Sequence, residues 1–327
     1  MDKPAALLQR EAMTFDLLCI GEPLGELNAT RGGLQLGHGG DVSNVAVAAA
    51  RQGARTAMLS ALGADSVGES LRGLWAEEGV DAALVSSDPE ASTGLYLIDH
   101  GEEGHRFSYW RQGSAASRLT PAAVAAGTPA AAALADSALV HASGISQAIS
   151  TGACDLVFAA FEQARAAGAL ISYDTNLRLK LWPLPRARAI VQATAALADI
   201  LLPGLEDARL LTGLEEPDAI VDRYLSLGAG MVVLTLGREG ALIATPERRQ
   251  RVPAPQVEAL DATGAGDCFD GCFLAELRRG GDPFAAARYA TVAAALSTRG
   301  YGAVPPIPRR AEVERQMASL AESEERS

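Results

Sequence analysis

The sequence predicts an α/β protein with a mostly parallel central sheet flanked by helices and a small β-sheet lid. Two observations carry this prediction. Short apolar strands alternate with Gly-terminated amphipathic helices, the pattern of successive βαβ units whose sheet is covered on both faces. One extended, aromatic stretch then breaks the alternation with no helix between its strands, so it forms a hairpin outside that rhythm.

Taken in order, the strand Phe15 to Ile20 ends at Gly21, and the Ala- and Val-rich Asn44 to Gln52 is a helix stopped at Gly53. Thr56 to Leu62 is the next strand, and Val67 to Glu78 is a helix closed by Gly79. Ser92 to Asp99 and Arg106 to Arg111 are the extended pair, joined by the turn-like Gly101-Glu102-Glu103-Gly104. Together with Glu26 to Leu36 they can build a small projecting sheet; the competing arrangement is an edge hairpin of the main sheet. Ala122 to Ala135 holds two Pro-interrupted helical fragments. Ala138 to Ala142 and Ala169 to Tyr173 are strands separated by the helix Leu156 to Ala167, which Gly168 closes. Ile190 to Ala198 is helical, Ile200 to Leu202 extended, Glu206 to Thr212 helical up to Gly213, and Met231 to Leu236 a β-branched strand. A main domain over 15–311, with lid segments at about 26–37 and 92–112, then leaves a charged helical tail over 312–327 that frays from Glu322.

With 327 residues, 48% hydrophobic and 21% charged, the chain can bury a sizeable core. Lys and Arg number 28 against 40 Asp and Glu, and the net charge of −12 has the wrong sign for nucleic-acid phosphates or anionic membranes. No apolar run approaches the ~18–20 residues of a bilayer-spanning helix, and Met1 to Met13 lacks the basic-then-apolar order of a signal peptide. A cytoplasmic protein is expected. Cys19, Cys154, Cys268 and Cys272 form no C-x-x-C pair and read as buried apolar residues. His38, His100, His105 and His141 have no metal-ligand spacing.

Most of the chemistry lies in Asp261-Ala262-Thr263-Gly264-Ala265-Gly266-Asp267. Phe269, Phe273 and Leu277 follow on one helical stripe, so a helix begins near Gly264 or Ala265. Its unpaired amides, at the positive end of the helix dipole, suit an anion such as a phosphoryl group. Asp267 falls in the first turn beside that anion and has two readings, a helix cap or a general base for a substrate hydroxyl. No G-x-x-x-x-G-K-[ST] occurs, and Gly21-Glu22-Pro23 stands where a dinucleotide G-x-G-x-x-G would follow the first strand. Both common phosphate loops are missing, which disfavours a nicotinamide oxidoreductase.

This segment resembles the C-terminal signature of the ribokinase-like (PfkB) carbohydrate kinases, and Gly39-Gly40-Asp41-Val42-Ser43-Asn44-Val45-Ala46 is similar to their N-terminal glycine-rich signature. The resemblance runs from about Phe15 to Pro308. Within the family, Thr93-Gly94-Leu95-Tyr96, Phe107 to Ala116, Ser143-Gly144-Ile145-Ser146 and Tyr173 to Trp182 are most similar to 2-keto-3-deoxygluconate kinases. The resemblance implies a ribokinase-like fold and ATP-dependent phosphorylation of the terminal hydroxyl of a sugar acid. Asp267 would be the base, and Gly264, Ala265 and Gly266 the anion cradle. Gly40, Asn44 and Glu26 would meet sugar hydroxyls, and Tyr96 and Tyr109 would line the lid side. Arg111 and Arg178 would hold the carboxylate, which a planar guanidinium does through two parallel hydrogen bonds.

The resemblance also places Thr235, Gly237, Gly240, Thr263 and Ala293 beside ATP, Asp207 near Mg²⁺ through water, and Asp261 with Ser297 beside a monovalent cation such as K⁺. Gly204 stands where the family often carries Asn near the magnesium, so the metal geometry stays open. A homodimer through the lid is the implied assembly. Without the resemblance, Tyr96 and Tyr109 read as hairpin packing, Arg111 and Arg178 as ion-pair residues, and Gly237 with Gly240 as an ordinary turn. A fructokinase or ribokinase is the nearest rival, and a sugar-binding regulator that kept the fold and lost transfer is another.

Overall fold

A computed structural model describes residues 13–30, 33–101 and 104–324. The opening residues 1–12, Glu102 and Glu103 of the expected turn, and the last three positions of the fraying tail lie outside the described residues. The strands are β1 (Phe15–Ile20), β2 (Leu24–Thr30), β3 (Gly33–Gly39), β4 (Thr56–Gly63), β5 (Val80–Asp81), β6 (Val85–Asp88), β7 (Gly94–Gly101) and β8 (Gly104–Trp110), then β9 (Ser137–Ser143), β10 (Leu170–Asp174), β11 (Ile200–Leu202), β12 (Met231–Thr235), β13 (Ala241–Ala244) and β14 (Arg249–Val252). The helices are α1 (Asp41–Arg51), α2 (Ser66–Glu78), α3 (Pro129–Ala135), α4 (Gly144–Ala148), α5 (Thr151–Ala166), α6 (Leu184–Ala195), α7 (Leu205–Thr212), α8 (Pro217–Ser226), α9 (Ala265–Arg278), α10 (Pro283–Ser297) and α11 (Arg310–Glu324).

The central sheet runs β14-β13-β12-β11-β10-β9-β1-β4-β5, with β6 also paired to β4. It is parallel from β12 to β5. β13 and β14 reverse direction, because the five residues between β12 and β13 are too few for a crossover helix. Side-chain alternation sorts β1 between two layers. Leu17 and Cys19 pack with α1, α9 and α10, whereas Leu18 and Ile20 pack with α5, α6, α7 and α8. Helices on both faces explain why β4 is buried along its whole length rather than at every second residue.

The expected lid is a second sheet, ordered β3-β2-β7-β8, with Leu24, Tyr96 and Ile98 packed at its centre. The hairpin is therefore not an edge of the main sheet. The sequence reading passed over β5, β6, β14 and α4, which are short, and also the helices α8 and α10. The boundary expected between 311 and 312 falls inside α11, whose Val313 is fully buried in the core, so this helix packs as part of the main unit. All four cysteines are buried and reduced. Among the described residues, no helix is long and apolar enough to cross a membrane.

Candidate active site

A cavity of about 910 Å³ opens between the lid and the carboxyl ends of the parallel strands. Asp174 closes β10, Gly204 follows β11 and Thr235 closes β12, so the cavity sits where ligands bind in open α/β sheets. It brings together Gly40, Asn44, Tyr96, Tyr109, Arg111, Arg178, Asp207, Thr235, Thr263, Gly264, Gly266 and Asp267 from seven separate stretches of the sequence.

Two helix starts build its floor. Gly40 caps α1 at φ 93°, and a Cβ there would meet the Glu22 carbonyl and lie 2.8 Å from the Pro23 Cα, so only glycine fits. One turn on, Asn44 Nδ2 donates to Asp267 Oδ2 at 2.7 Å. Gly264 precedes α9 in the left-handed region at φ 73°, and a Cβ there would press on Ala303 at 3.1 Å. The Ala265 amide, expected in the anion cradle, instead donates to the Ala262 carbonyl at 3.2 Å. Gly266 lines the cavity with open space beside it, and the first-turn amides of Gly266 and Asp267 have no partner one turn earlier in the helix.

Burial, and then the neighbouring charge of Asp41, pushes the Asp267 carboxyl up to about 7, against the opposing pull of Asn44 and Arg178. Such a group is about half ionised at neutral pH and basic enough to accept a proton. Three further carboxyls that the sequence reading did not select also line the cavity, those of Asp41, Asp174 and Asp270. Burial and mutual repulsion push Asp174 and Asp270 well above the carboxylate range. Asp41 accepts from Asn176 Nδ2 at 3.0 Å. A signal for Asp270 existed, since it lies three residues after Asp267 and so on the same helical face.

On the lid side, the Tyr96 hydroxyl donates to Glu26, and the Tyr96 and Tyr109 rings lie 5.9 Å apart. Glu26 is buried behind Tyr96 rather than lining the cavity. Arg111 Nε donates to Glu22 at 2.6 Å. Arg178 Nη1 donates to the Leu177 carbonyl at 2.8 Å and lies 3.7 Å from Asp207. Lys180, 5.8 Å from the centre of the Tyr109 ring, is a third cation on this wall.

The nucleotide expectations divide. Thr235 and Thr263 face the cavity, whereas Gly237 and Gly240 form the turn after β12, at φ 59° and 99°, outside its lining. Ala293 and Ser297 are buried in α10, and the Ser297 hydroxyl donates to the Ala294 carbonyl. Asp261 shapes the loop before α9. Its Oδ1 accepts from the Thr263 amide and hydroxyl, and its Oδ2 from the Gly302 amide. His38 and His141 pair with Ser70 and Ser172 away from the cavity.

Among the described residues, no group of three or more His, Cys, Asp or Glu is arranged to cage a metal ion. The cavity instead offers the carboxyl oxygens of Asp174 and Asp207, whose ionised forms a hard cation that keeps most of its water would favour. Gly204 lines the wall beside Thr235 and brings no side-chain ligand.

The description "pfkB family carbohydrate kinase" matches residues 11–310. The chain belongs to the pfkB family of carbohydrate kinases. It is 33% identical over 316 residues to the 2-dehydro-3-deoxygluconokinase of Thermoproteus tenax, covering 92% of this chain and 94% of that one. It is also 32% identical over 293 residues to Fructokinase-1 of Oryza sativa subsp. japonica, covering 86% and 88%. The crystal structure of a putative Ribokinase II from E. coli in complex with ATP and Mg²⁺ superposes with a TM-score of 0.85 at 25% identity, covering 93% of this chain and 99% of that one. This pfkB kinase is therefore a sugar-phosphorylating enzyme with a ribokinase-like fold, its cavity lying between the helix start at Gly264 and the lid.

Proposed function

We propose that this kinase transfers the γ-phosphoryl group of ATP to the terminal hydroxyl of a sugar acid, 2-keto-3-deoxygluconate, giving its 6-phosphate. The observation that carries the reading is that Arg111, Arg178 and Lys180 line the same cavity as Asp267, so a carboxylate can be held while a distant hydroxyl reaches the base. The similarity to 2-dehydro-3-deoxygluconokinase supports it. Asp267 takes the hydroxyl proton, the sugar oxygen forms the new P–O bond, and the bond to ADP breaks. The amides of Gly266 and Asp267 face the charge that develops on the phosphoryl oxygens. Mg²⁺, held through water by Asp207 and Asp174, would neutralise phosphate charge when bound. The lid aromatic rings Tyr96 and Tyr109 cover the sugar and exclude water that would otherwise accept the phosphoryl group.

The similarity to fructokinases supports a second reading, a neutral ketose as acceptor. A coupled assay for ADP release over a panel of sugar acids and their neutral carbinol analogues separates the two. The acid is expected to be preferred, and Arg178→Gln to reduce that preference by about 10- to 100-fold, the worth of one charged hydrogen bond. Equal turnover of acid and carbinol by the wild type would leave the neutral-sugar reading standing.

We propose further that two copies pair through their lids, because Leu34, Leu36 and Trp110 of the small sheet are 63%, 50% and 57% exposed. Sedimentation should give a dimer, and the double variant Leu34→Glu/Leu36→Glu a monomer.

A further inference from the structure

We infer that Glu22 is a positioning residue for the acid-binding end of the cavity, holding the Arg111 guanidinium in place and tying it to the base of the lid. The inference rests on the sugar-acid reading above. Glu22 lies in the short connection between β1 and β2, where the chain leaves the main sheet for the lid. Arg111 and Ser114 lie just past β8, where the chain returns. Gly94 opens β7, and a Cβ there would lie 2.8 Å from Glu22 Oε1, so the missing side chain leaves room for the carboxylate. Three of the four passages between sheet and lid thus meet at one carboxylate, whose side chain has no exposed surface.

The two oxygens of that carboxylate are divided between different partners. Oε2 accepts from Arg111 Nε at 2.6 Å and is also in ion-pair contact with Nη2, which makes no hydrogen bond, while Oε1 accepts the Ser114 hydroxyl. A guanidinium is planar, so the Nε hydrogen bond together with the ion-pair contact at Nη2 restricts the direction of the remaining Nη1 hydrogens. The Arg111 side chain is only 10% exposed yet lines the cavity, and its charged end sits 5.9 Å from the centre of the Tyr109 ring. Held in this way, it loses little side-chain freedom when a substrate carboxylate arrives, which is how a preorganised group gains affinity. Burial pushes the Glu22 carboxyl above its ordinary range, and Arg111 and Ser114 oppose that push, so each partner depends on the other.

The test is a double-mutant cycle of Glu22→Gln and Arg111→Gln, with KM for the sugar acid, KM for ATP and kcat measured for each protein. Glu22→Gln is expected to raise KM for the acid about tenfold, with kcat changed no more than about twofold and KM for ATP unchanged. In the Arg111→Gln background the same change should do nothing further. An unchanged KM, or an equal rise in both backgrounds, as a merely structural residue would give, overturns the proposal. Should Glu22→Gln not fold, Glu22→Asp, which keeps the charge one methylene further from Arg111, is read in the same cycle with the same expected direction. The sugar-acid reading is judged separately on the wild type. If that protein does not prefer the acid to its carbinol, the reading fails, and the coupling of Glu22 to Arg111 remains readable on the sugar that is turned over.

Discussion

Asp267→Asn lowers kcat by about 10²–10⁴-fold, the worth of a positioned general base, while the dissociation constant for the sugar stays within a few-fold. The asparagine keeps the shape and its place beside Asn44, so binding survives, but it cannot take the hydroxyl proton. Initial rates together with sugar titration by calorimetry check both halves. The pH profile carries the same claim. Burial first, and then Asp41, push the Asp267 carboxyl up to about 7, and only its ionised form accepts a proton. The wild-type kcat/KM should therefore rise with pH through about 7 and level off above it. The Asn variant should lack that limb. Unchanged kcat in the variant would remove the mechanism.

Gly40→Ala should destabilise the protein by about 3 kcal/mol, combining ~1–2 for the left-handed backbone with ~1–3 for overpacking. The methyl would press on the backbone of Glu22, Pro23 and Leu24, which cannot swing aside as a side chain can. The same displacement would move the α1 start that forms the cavity floor, so activity should fall with stability. Gly53→Ala is the control. It shares the positive φ, at 90°, but has nothing within 4 Å of the added methyl, so about 1 kcal/mol is expected. Denaturant unfolding of the two variants separates strain from collision, and equal losses would refute the packing argument.

Much of this architecture is legible along the chain because its causes are local. The apolar run at Phe15 to Ile20, the glycine stop at Gly79 and the small residues opening α9 each depend on neighbours a few positions away. The site was legible only in part. Asp267 announces itself through its glycine turn and Asp270 through its spacing from Asp267, whereas Asp41 and Asp174 look like ordinary solvated acids until the sheet order brings β10, α1 and α9 to one cavity.

By itself, then, the sequence determined the alternation of strands and helices, the hairpin that interrupts it, the turn at Gly264 and the family to which they belong. Only the tertiary structure decided that Asn44 meets Asp267 across 223 positions and that Arg111 meets Glu22 across 89. It also decided that Ala293 and Ser297 pack inside α10 and that Val313 anchors the tail. The physical reason is that periodicity and turn chemistry act over a few residues, while these contacts depend on which strands lie side by side, and no local pattern encodes that order.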